Sequence, residues 1–401
     1  MKKTLLVGAL TGVFATMAHA QSSVTLYGLL DVGISYTNSA STPQGRSNVQ
    51  LSNAMLQSNR WGLRGAEDLG GGLKAIFVLE NGFTLTNGKL GQGGREFGRN
   101  AYVGLSDDTL GTVTLGRQNE FMYDWVGHFS MADFNGVGGN IFAHVMDNDN
   151  AIGTMRINNA VKYTSPTYAG LTVGGMYAFS NAAGAFANNR AYSFGATYNN
   201  GPIKAALGYT QVNNGNEAIN ANGAVDAGFT ANGTSADAAF TAQRQRTFGG
   251  GLNYTFGPAN VGFIITDTRL NNATAFATGS TTTLSAANAA YVHFTNYEVN
   301  AHYSLTPALT LGAAYTYTNG KFDNARNAVS PKWNQFGLLA DYSLSKRTDV
   351  YTAANYIHLS GGMPLGATGG ASQFEGASSY IGSVGSAASQ VVVGVGMRTH
   401  F

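Results

Sequence analysis

The 401-residue sequence contains no cysteine, so its fold has neither disulfide bonds nor thiolate metal sites. It has only 7 prolines, which excludes a proline-rich repeat. Charged residues make up 11% of the chain, against about 25% in typical soluble domains. After Gln21, no apolar run approaches the ~18 residues that a membrane-spanning helix needs. If the chain enters a membrane, it must do so as strands.

The first twenty residues have the features of a secretory signal peptide. Lys2 and Lys3 precede a short apolar segment, and Ala18-His19-Ala20 has the small-x-small pattern of a cleavage site. The apolar segment is shorter than the ~20 residues of a transmembrane helix. We therefore expect residues 1–20 to be removed and residues 21–401 to form the mature domain.

The expected mature chain is electrically neutral. The full sequence has 23 Lys and Arg and 21 Asp and Glu, and the removal of Lys2 and Lys3 would make the two signs equal. A nucleic-acid-binding protein would show a basic stripe, so we expect no nucleic-acid partner. The chain is rich in small and aromatic residues, with 54 Gly, 20 Tyr and 22 Phe, but has no collagen-like period.

Most of the chain alternates apolar with polar residues in short runs. At its start, Leu26 and Ile34 share one face of the segment Val24–Tyr36, while Tyr27 and Asp31 lie on the other. Such a two-residue period predicts a strand with one apolar face. The same period recurs along the chain in runs of ~10 residues, the length of a strand that crosses a bilayer at a tilt.

Short turns and long polar segments separate these runs in a regular order. The first hairpin turns at Glu67–Gly72, and long segments rich in Gly, Asn, Ser, Thr and Ala lie between the hairpins. The other tight turns lie around Ser106–Gly111, Ser165–Gly170, Asn199–Pro202, Phe256–Ala259, Leu305–Ala308 and Leu344–Thr348. With a first strand from Val24 and a last one over Gln390–Phe401, the pattern predicts sixteen strands.

Three features distinguish a transmembrane barrel from a soluble β-sandwich, whose strands also alternate. The strand count is even, short turns and long loops lie at opposite ends of the strands, and aromatic residues crowd near strand ends. Every backbone amide in lipid must be paired, so the sheet must close. We predict an all-β fold, a 16-stranded antiparallel transmembrane β-barrel over residues 21–401 with a water-filled lumen.

Four segments resemble the general porins of Gram-negative bacteria, most closely the branch common in betaproteobacteria. They are Ser58–Glu80, Asn100–Gln118, Arg156–Ser180 and the terminal VVVGVGMRTHF that ends at Phe401. The resemblance covers the whole mature chain. It implies a homotrimeric outer-membrane channel for passive diffusion of ions and small hydrophilic solutes, with an inward-folded third loop and no cofactor.

The resemblance also implies lipid and protein partners outside the lumen. Outer-membrane lipids and lipopolysaccharide would surround the barrel. The terminal Phe401, which follows alternating valines, is similar to the signal by which the barrel-assembly machinery recognises the family.

The segment Asn119–Met155 shows neither a two-residue nor a 3.6-residue rhythm. A structureless loop longer than ~12–15 residues is either functional or a sign of a wrong assignment. Tyr123–Gly127 resembles the start of the family's constriction loop, whereas the family's Pro-Glu-Phe motif is absent and Ala132-Asp133-Phe134 stands nearby. We therefore expect Asp124 and Asp133 to face the pore wall; the alternative is a solvated loop surface.

In that family, a cluster of arginines on the wall faces the acidic loop. Arg60 and Arg64 lie on the polar phase of their strand, and Arg156 is in phase with Lys162. We expect these arginines to lie at the pore constriction. The alternative is that they form wall salt bridges without effect on flux, because surface ion pairs often contribute little.

Arg117 matches the family pattern but conflicts with strict alternation, which places it on the apolar face with Leu115. An arginine on the lipid face at the midplane would cost ~2–4 kcal/mol. A bulge at Gly116 would turn the side chain inward, and we therefore include Arg117 in the predicted constriction.

The other charged residues of the polar phases are predicted to line the lumen. They are Asp31, Lys74, Glu80, Lys162 and Glu298. Opposed charges at the narrowing would set a transverse field that orders polar solutes and favours ions of one sign. The neutral composition leaves that sign open.

Other chemistry is less well supported. Asp147-Asn148-Asp149-Asn150 begins like a calcium loop, but Ala151 and Ile152 occupy positions that need an oxygen ligand and a glycine. The histidines form no spaced pair of metal ligands. A barrel lipase or protease would need a catalytic constellation that no motif fixes, and an adhesin would bind a partner tightly without conducting ions.

Overall fold

The computed structural model describes residues 23–40, 46–133, 137–213, 222–225, 240–278, 280–283, 290–323, 328–361, 377–381 and 385–401. The expected signal peptide, residues 1–20, lies outside this part of the chain, so its removal stays a prediction. None of the helices in the described residues is long and apolar enough to cross a membrane.

Within the described residues, sixteen long strands form one antiparallel wall. They are β1 (Ser23–Thr37), β2 (Arg60–Gly70), β3 (Leu73–Gly82), β4 (Asn100–Asp107), β5 (Gly111–Gln118), β6 (Ile157–Thr164), β7 (Leu171–Ala178), β8 (Arg190–Asn200), β9 (Ile203–Asn213), β10 (Phe240–Phe256), β11 (Ala259–Thr278), β12 (Ala290–Ser304), β13 (Leu309–Asp323), β14 (Lys332–Ser343), β15 (Thr348–Ser360) and β16 (Ser389–His400). The short strands Asn48–Asn53, Ser280–Thr283 and Ala328–Val329 extend the wall beside the long loops.

The wall closes between its first and last strands. β1 pairs with β2 on one side and with β16 on the other, in a register that runs from Leu29 opposite His400 to Thr37 opposite Val392. This closure pairs the two edges that the first and last strands of the described wall would otherwise expose. The prediction of a closed sixteen-stranded barrel is confirmed.

Alternation along the strands gives the barrel an apolar outside and a polar inside. Leu207 in the middle of β9 is 66% exposed on the outer face, whereas its neighbours on the other phase, such as Thr210, are buried. The same contrast holds between Val299 and Glu298 of β12. On these strands the two-residue period agrees with which side chains face inward.

The wall is interrupted between Asn48–Asn53 and β2, both of which pair with β1. Residues 54–59, here called the inner corner, leave the ladder at Ala54, whose φ is +57°. The carboxylate of Asp31 accepts hydrogen bonds from the backbone N–H groups of Leu56 (3.0 Å) and Gln57 (2.8 Å), which the interruption would otherwise leave unpaired. Asp31 faces inward as expected, but this backbone covers it completely.

Candidate functional site

The inner loop, Asn119–Met155, lies between β5 and β6 and contacts the interior face of the opposite wall. Its described residues include the short helical segments Met122–Val126, Gly127–Phe129, Asn140–Phe142 and Val145–Asp147. Residues 134–136, which include Phe134 of the predicted tip motif, lie outside the described residues. Polar groups of the loop form hydrogen bonds with side chains of the wall and with one another.

Glu120 fixes the first turn of the inner loop. Its buried carboxylate accepts hydrogen bonds from the backbone N–H groups of Met122 and Tyr123, the second at 3.1 Å, and from Thr210 Oγ1 of β9 at 2.5 Å. It also accepts one from Asn150 Nδ2 at 2.7 Å, which joins the start of the loop to its end. Burial raises the pKa of Glu120 above its usual range.

A buried group of charges holds the far side of the inner loop. Nδ1 of His144 lies 2.6 Å from Oδ2 of Asp149, and its Nε2 lies 2.8 Å from Oε2 of Glu298 on β12. All three side chains are fully buried. We call this group the clasp. Burial alone would lower the pKa of His144, but the two carboxylates outweigh it and hold the pKa well above the usual value.

Glu298 also binds the loop backbone. Its carboxylate accepts hydrogen bonds from Ser130 Oγ at 2.8 Å and from the Met131 N–H at 2.6 Å. It was predicted to line the lumen, and it does lie on the inner phase of β12. The inner loop covers it, however, so it contacts protein rather than water.

Asp147 supports the end of the inner loop. Its carboxylate accepts hydrogen bonds from Thr154 Oγ1 at 2.7 Å and from the Thr154 and Ile152 N–H groups at 3.2 and 3.1 Å. Burial and the neighbouring Asp149 raise the pKa of Asp147 to about 7. The carboxylates that resemble a calcium loop are thus both engaged by protein donors.

The middle of the inner loop rests on the inner corner. The Asn140 N–H donates to Leu56 O at 2.8 Å, and the Ile141 N–H donates to Met55 O at 3.0 Å. On the opposite side, Asn355 Nδ2 of β15 donates to Ile141 O at 2.8 Å. Because the loop is bound to β9, β12, β15 and the inner corner, it crosses the interior of the barrel.

Three buried or half-buried arginines line the wall beside this crossing. Arg60 begins β2, Arg99 immediately precedes β4, and Arg156 immediately precedes β6. Nε of Arg99 lies 2.6 Å from Oε1 of Glu80, whose other oxygen accepts a hydrogen bond from Tyr27 Oη at 2.9 Å. We call Arg60, Arg99 and Arg156 the arginine wall. Glu80, predicted to line the lumen, is its buried counter-ion.

Arg156 has little compensation for its charge. It is 3% exposed, donates to Thr154 O at 3.3 Å, and its Nε has no hydrogen-bond partner among the described residues. Burial and the neighbouring Arg99 lower its pKa to about 9. The guanidinium is still protonated at neutral pH, so a buried positive charge persists at this point.

Tyr123 and Asp133 are the inner-loop groups beside the arginine wall. The Asp133 carboxylate acts electrostatically on Arg60 and Arg99, and the Tyr123 phenol neighbours all three arginines. Burial and the Asp133 charge raise the pKa of Tyr123 to about 12, so its phenol is neutral. Nδ1 of His128 lies 2.9 Å from Oδ2 of Asp133 on the same loop.

The other residues predicted at the constriction or lumen lie apart from this group. Asp124 forms an ion pair with Lys162 of β6, whose Nζ also donates to Asn119 O at 2.9 Å, so it faces a lysine and not the arginines. Arg64 is exposed, with its guanidinium 5.3 Å from the centre of the Tyr27 ring. Lys74 is exposed near the tight turn between β2 and β3.

Arg117 is turned away from the apolar face by an irregular ladder. The register between β5 and β6 shifts between Gly116 and Gln118, and Gly116 has φ +135°, where a Cβ would lie 2.2 Å from Ala101 O. Arg117 is buried, donates from Nε to Gly98 O at 2.8 Å and from Nη1 to Asn158 Oδ1, and acts electrostatically on Arg156.

Phe401 completes the seam between the first and last strands. Its backbone N–H donates to Gly28 O at 3.1 Å, and its carbonyl accepts from the Gly28 N–H at 2.9 Å. The ring is 47% exposed. Its function as an assembly signal stays a prediction.

The sequence profile of one family, described as Gram-negative porin, matches residues 6–294 and 267–362. Curated relatives include an outer membrane porin protein of Bordetella pertussis, 40% identical over 249 residues that cover 57% of this chain and 63% of the relative. Outer membrane porin protein 32 of Delftia acidovorans is 36% identical over 220 residues, 53% of this chain and 60% of that one. The chain thus spans about six-tenths of the length of these curated relatives.

Solved structures resemble the fold along nearly the whole chain. An anion-selective porin from Comamonas acidovorans superposes with a TM-score of 0.67 at 26% identity, covering 95% of this chain and all 100% of that one. An outer membrane protein of Vibrio cholerae, solved in trimer form, gives a TM-score of 0.59 at 16% identity over 95% and 99% of the two chains.

The clasp predicts that the inner loop becomes less protected when the His144 side chain is removed. His144→Ala would leave Asp149 and Glu298 buried without their shared cation, and breaking a buried pair in this way costs about 3–5 kcal/mol. We expect faster amide exchange and faster proteolysis within Asn119–Met155. His293→Ala is the control: it breaks a partly exposed pair with Asp267 (2.6 Å) on the outer wall. Equal protection of the loop in both variants would contradict the anchoring function of the clasp.

Asp147 predicts a pH dependence of the same loop. Its pKa in the fold is about 7, above its ordinary value of 3.8, so its contribution to stability is full below pH 3.8 and is lost as pH rises to about 7. The loss is on the order of a few kcal/mol. Loop protection, measured by hydrogen exchange, should decline across this window in the native chain and decline less steeply in Asp147→Asn, in which the buried Glu120 with its raised pKa still titrates. The same slope in both proteins would assign it to another group.

Proposed function

The chain belongs to the Gram-negative porin family, and we propose that it forms a water-filled channel through which ions and small hydrophilic solutes diffuse passively. The outer-membrane relatives and the barrel fold place the protein in the outer membrane of a Gram-negative bacterium. Diffusion down a gradient needs no cofactor, energy source or catalytic step. The finer features of the channel are proposals, and the geometry of the inner loop supports them.

The observation that carries the proposal is the opposition of the inner loop and the arginine wall. The loop crosses the lumen and places the Asp133 carboxylate within electrostatic range of Arg60 and Arg99. Opposed fixed charges across a narrow aqueous passage create a transverse field, which orients dipolar solutes and separates ions by sign. We infer that this passage is the constriction. Arg117 is a neighbour of Arg156, and Asp124 pairs with Lys162.

The constriction should favour anions. Arg60, Arg99 and Arg156 carry three positive charges, whereas their neighbours Glu80 and Asp133 supply two negative ones. Positive charge in a low-dielectric wall raises the local concentration of anions. The structurally similar Comamonas porin, described as anion-selective, agrees with this proposal.

Further features of the proposed channel concern its assembly. We infer a homotrimer within outer-membrane lipids and lipopolysaccharide, as suggested by the related fold that was solved as a trimer. Residues 1–20 would direct export, and Phe401 would present the last strand to the barrel-assembly machinery. Lys74 and Arg64 would line the wider passage near the tight turns.

Single-channel recording tests the proposed function. Purified protein added to a planar bilayer should give discrete, ohmic current steps, in groups of three if the assembly is trimeric. A potassium chloride gradient should give a reversal potential with the sign of an anion-preferring pore. Protein that inserts, as shown by its protection in vesicles, but never carries current would contradict the proposal.

Arg156 and Arg64 should contribute differently to the ion selectivity of the channel. Removing a unit charge about 4 Å from a permeating ion changes its energy by about 1 kcal/mol in water. Arg156→Ala should therefore lower the ratio of anion to cation permeability a few-fold. Arg64→Ala, which removes the same charge from an exposed site near the mouth, should change it much less. Equal shifts would place the selective region elsewhere in the lumen.

A further inference from the structure

The outer face of β10 changes from apolar to basic towards the long loops. Outward-facing Leu252 and Phe248 are exposed, and the next outward positions along the strand are Arg246 and Arg244. Thr247, on the other phase between Arg246 and Phe248, is buried in the interior. The arginines therefore project from the outside of the barrel and cannot belong to the channel.

The register places a third arginine on the same outer surface. Arg244 pairs with Asn213 of β9, which in turn pairs with Arg190 of β8. Neighbouring strands lie about 4.7–4.9 Å apart, so Arg190 and Arg244 start about 10 Å from one another on one face. Arg246 lies two residues from Arg244 on that face. We call Arg190, Arg244 and Arg246 the outer arginine patch.

No carboxylate of the described residues neutralises the charges of this patch. None of its arginines has a carboxylate within ion-pair distance in the part of the chain that the structure describes. Arg244 Nη2 donates to the neutral Asn271 Oδ1 at 3.3 Å, and the Nε atoms of Arg190 and Arg246 are buried without a hydrogen-bond partner among the described residues. On the next strand, by contrast, Arg269 pairs with Asp267 at 2.7 Å.

The position of the patch indicates what it binds. The patch lies directly above the outward apolar band, beside the rings of Tyr192 and Tyr209, which are 6.3 Å apart and mark an interfacial aromatic girdle. In a barrel of this kind, the long-loop end faces the cell exterior. A guanidinium at this level meets lipid headgroups, and its planar fork suits phosphate oxygens.

We propose that the outer arginine patch is a binding site for the phosphate groups of a lipid in the outer leaflet. This inference rests on the outer-membrane location given above but not on conduction. The acyl chains would lie against the apolar band below, with Phe248 and Leu207, while Arg190, Arg244 and Arg246 hold the phosphates. Such a contact would satisfy the Nε atoms of Arg190 and Arg246, which have no partner among the described residues.

Native mass spectrometry with defined probes tests the site. The probes are diphosphoryl lipid A, the same acylated disaccharide without phosphates, and inorganic phosphate. The native chain should retain the diphosphoryl lipid and lose the dephosphorylated one, and millimolar inorganic phosphate should not displace the lipid. Arg244→Gln with Arg246→Gln should weaken lipid binding by at least about tenfold, since charge-assisted hydrogen bonds are removed.

A charge-matched control is available on the opposite rim. Lys346→Gln with Arg347→Gln removes two positive charges from the exposed turn between β14 and β15 and should leave lipid binding unchanged. Equal binding by both double variants, or equal retention of phosphorylated and dephosphorylated lipid by the native chain, would overturn the inference. So would displacement by inorganic phosphate alone, or a change of oligomeric state, which would make the patch a contact between copies.

Conductance separates this inference from the proposed function. Arg244→Gln with Arg246→Gln should carry the same single-channel current as the native chain, which also shows that the variant folds. A native chain that binds the lipid but carries no current would reject the channel and leave the lipid site intact. A chain that conducts, but whose lipid binding is unchanged when both arginines are replaced, would support the channel and reject the lipid site.

Discussion

Complete backbone pairing is the constraint on which the rest of this structure depends. A sheet that meets hydrocarbon cannot leave a strand edge unpaired, so β1 must join β16, and the strands must alternate apolar and polar side chains around a closed wall. The enclosed space is then lined with polar groups and is too wide for the wall side chains alone to fill. A loop that enters it must bring its own hydrogen-bond partners.

The inner loop meets that requirement because buried, paired charges replace the hydrogen bonds that its polar groups would otherwise form with water. Glu120 ties the first turn to the wall, and the clasp places one imidazole between Asp149 and Glu298. Burial of such groups is costly unless each is hydrogen-bonded, and here they are. The arginine wall behaves differently, because Arg156 keeps a buried charge with little compensation. The charges that anchor the loop are paired, and Arg99 is paired with Glu80, whereas Arg156 Nε has no hydrogen-bond partner among the described residues.

Sequence reasoning predicted the strands, the tight turns and the identity of the inner loop, because alternation and resemblance are local signals. It placed Glu298 on the inner phase of its strand. It did not predict that the inner loop covers this residue, because Glu298 and His144 are 154 residues apart in sequence. Arg99 was missed because it precedes its strand and lies outside the alternating pattern. Asp124 was expected opposite arginines. The inner loop has no periodic pattern of apolar residues, so no register could be derived that would pair Asp124 with Lys162.

The absence of cysteine offers the most direct test of the central claim, that Asp133 lies in the ion path opposite the arginine wall. A single cysteine at this position, Asp133→Cys, would be the only thiol in the chain. During single-channel recording, a bulky charged methanethiosulfonate reagent should reduce the current in discrete steps, one for each pore. Complete labelling, verified by mass, with no change in current would show that the inner loop does not narrow the channel at Asp133.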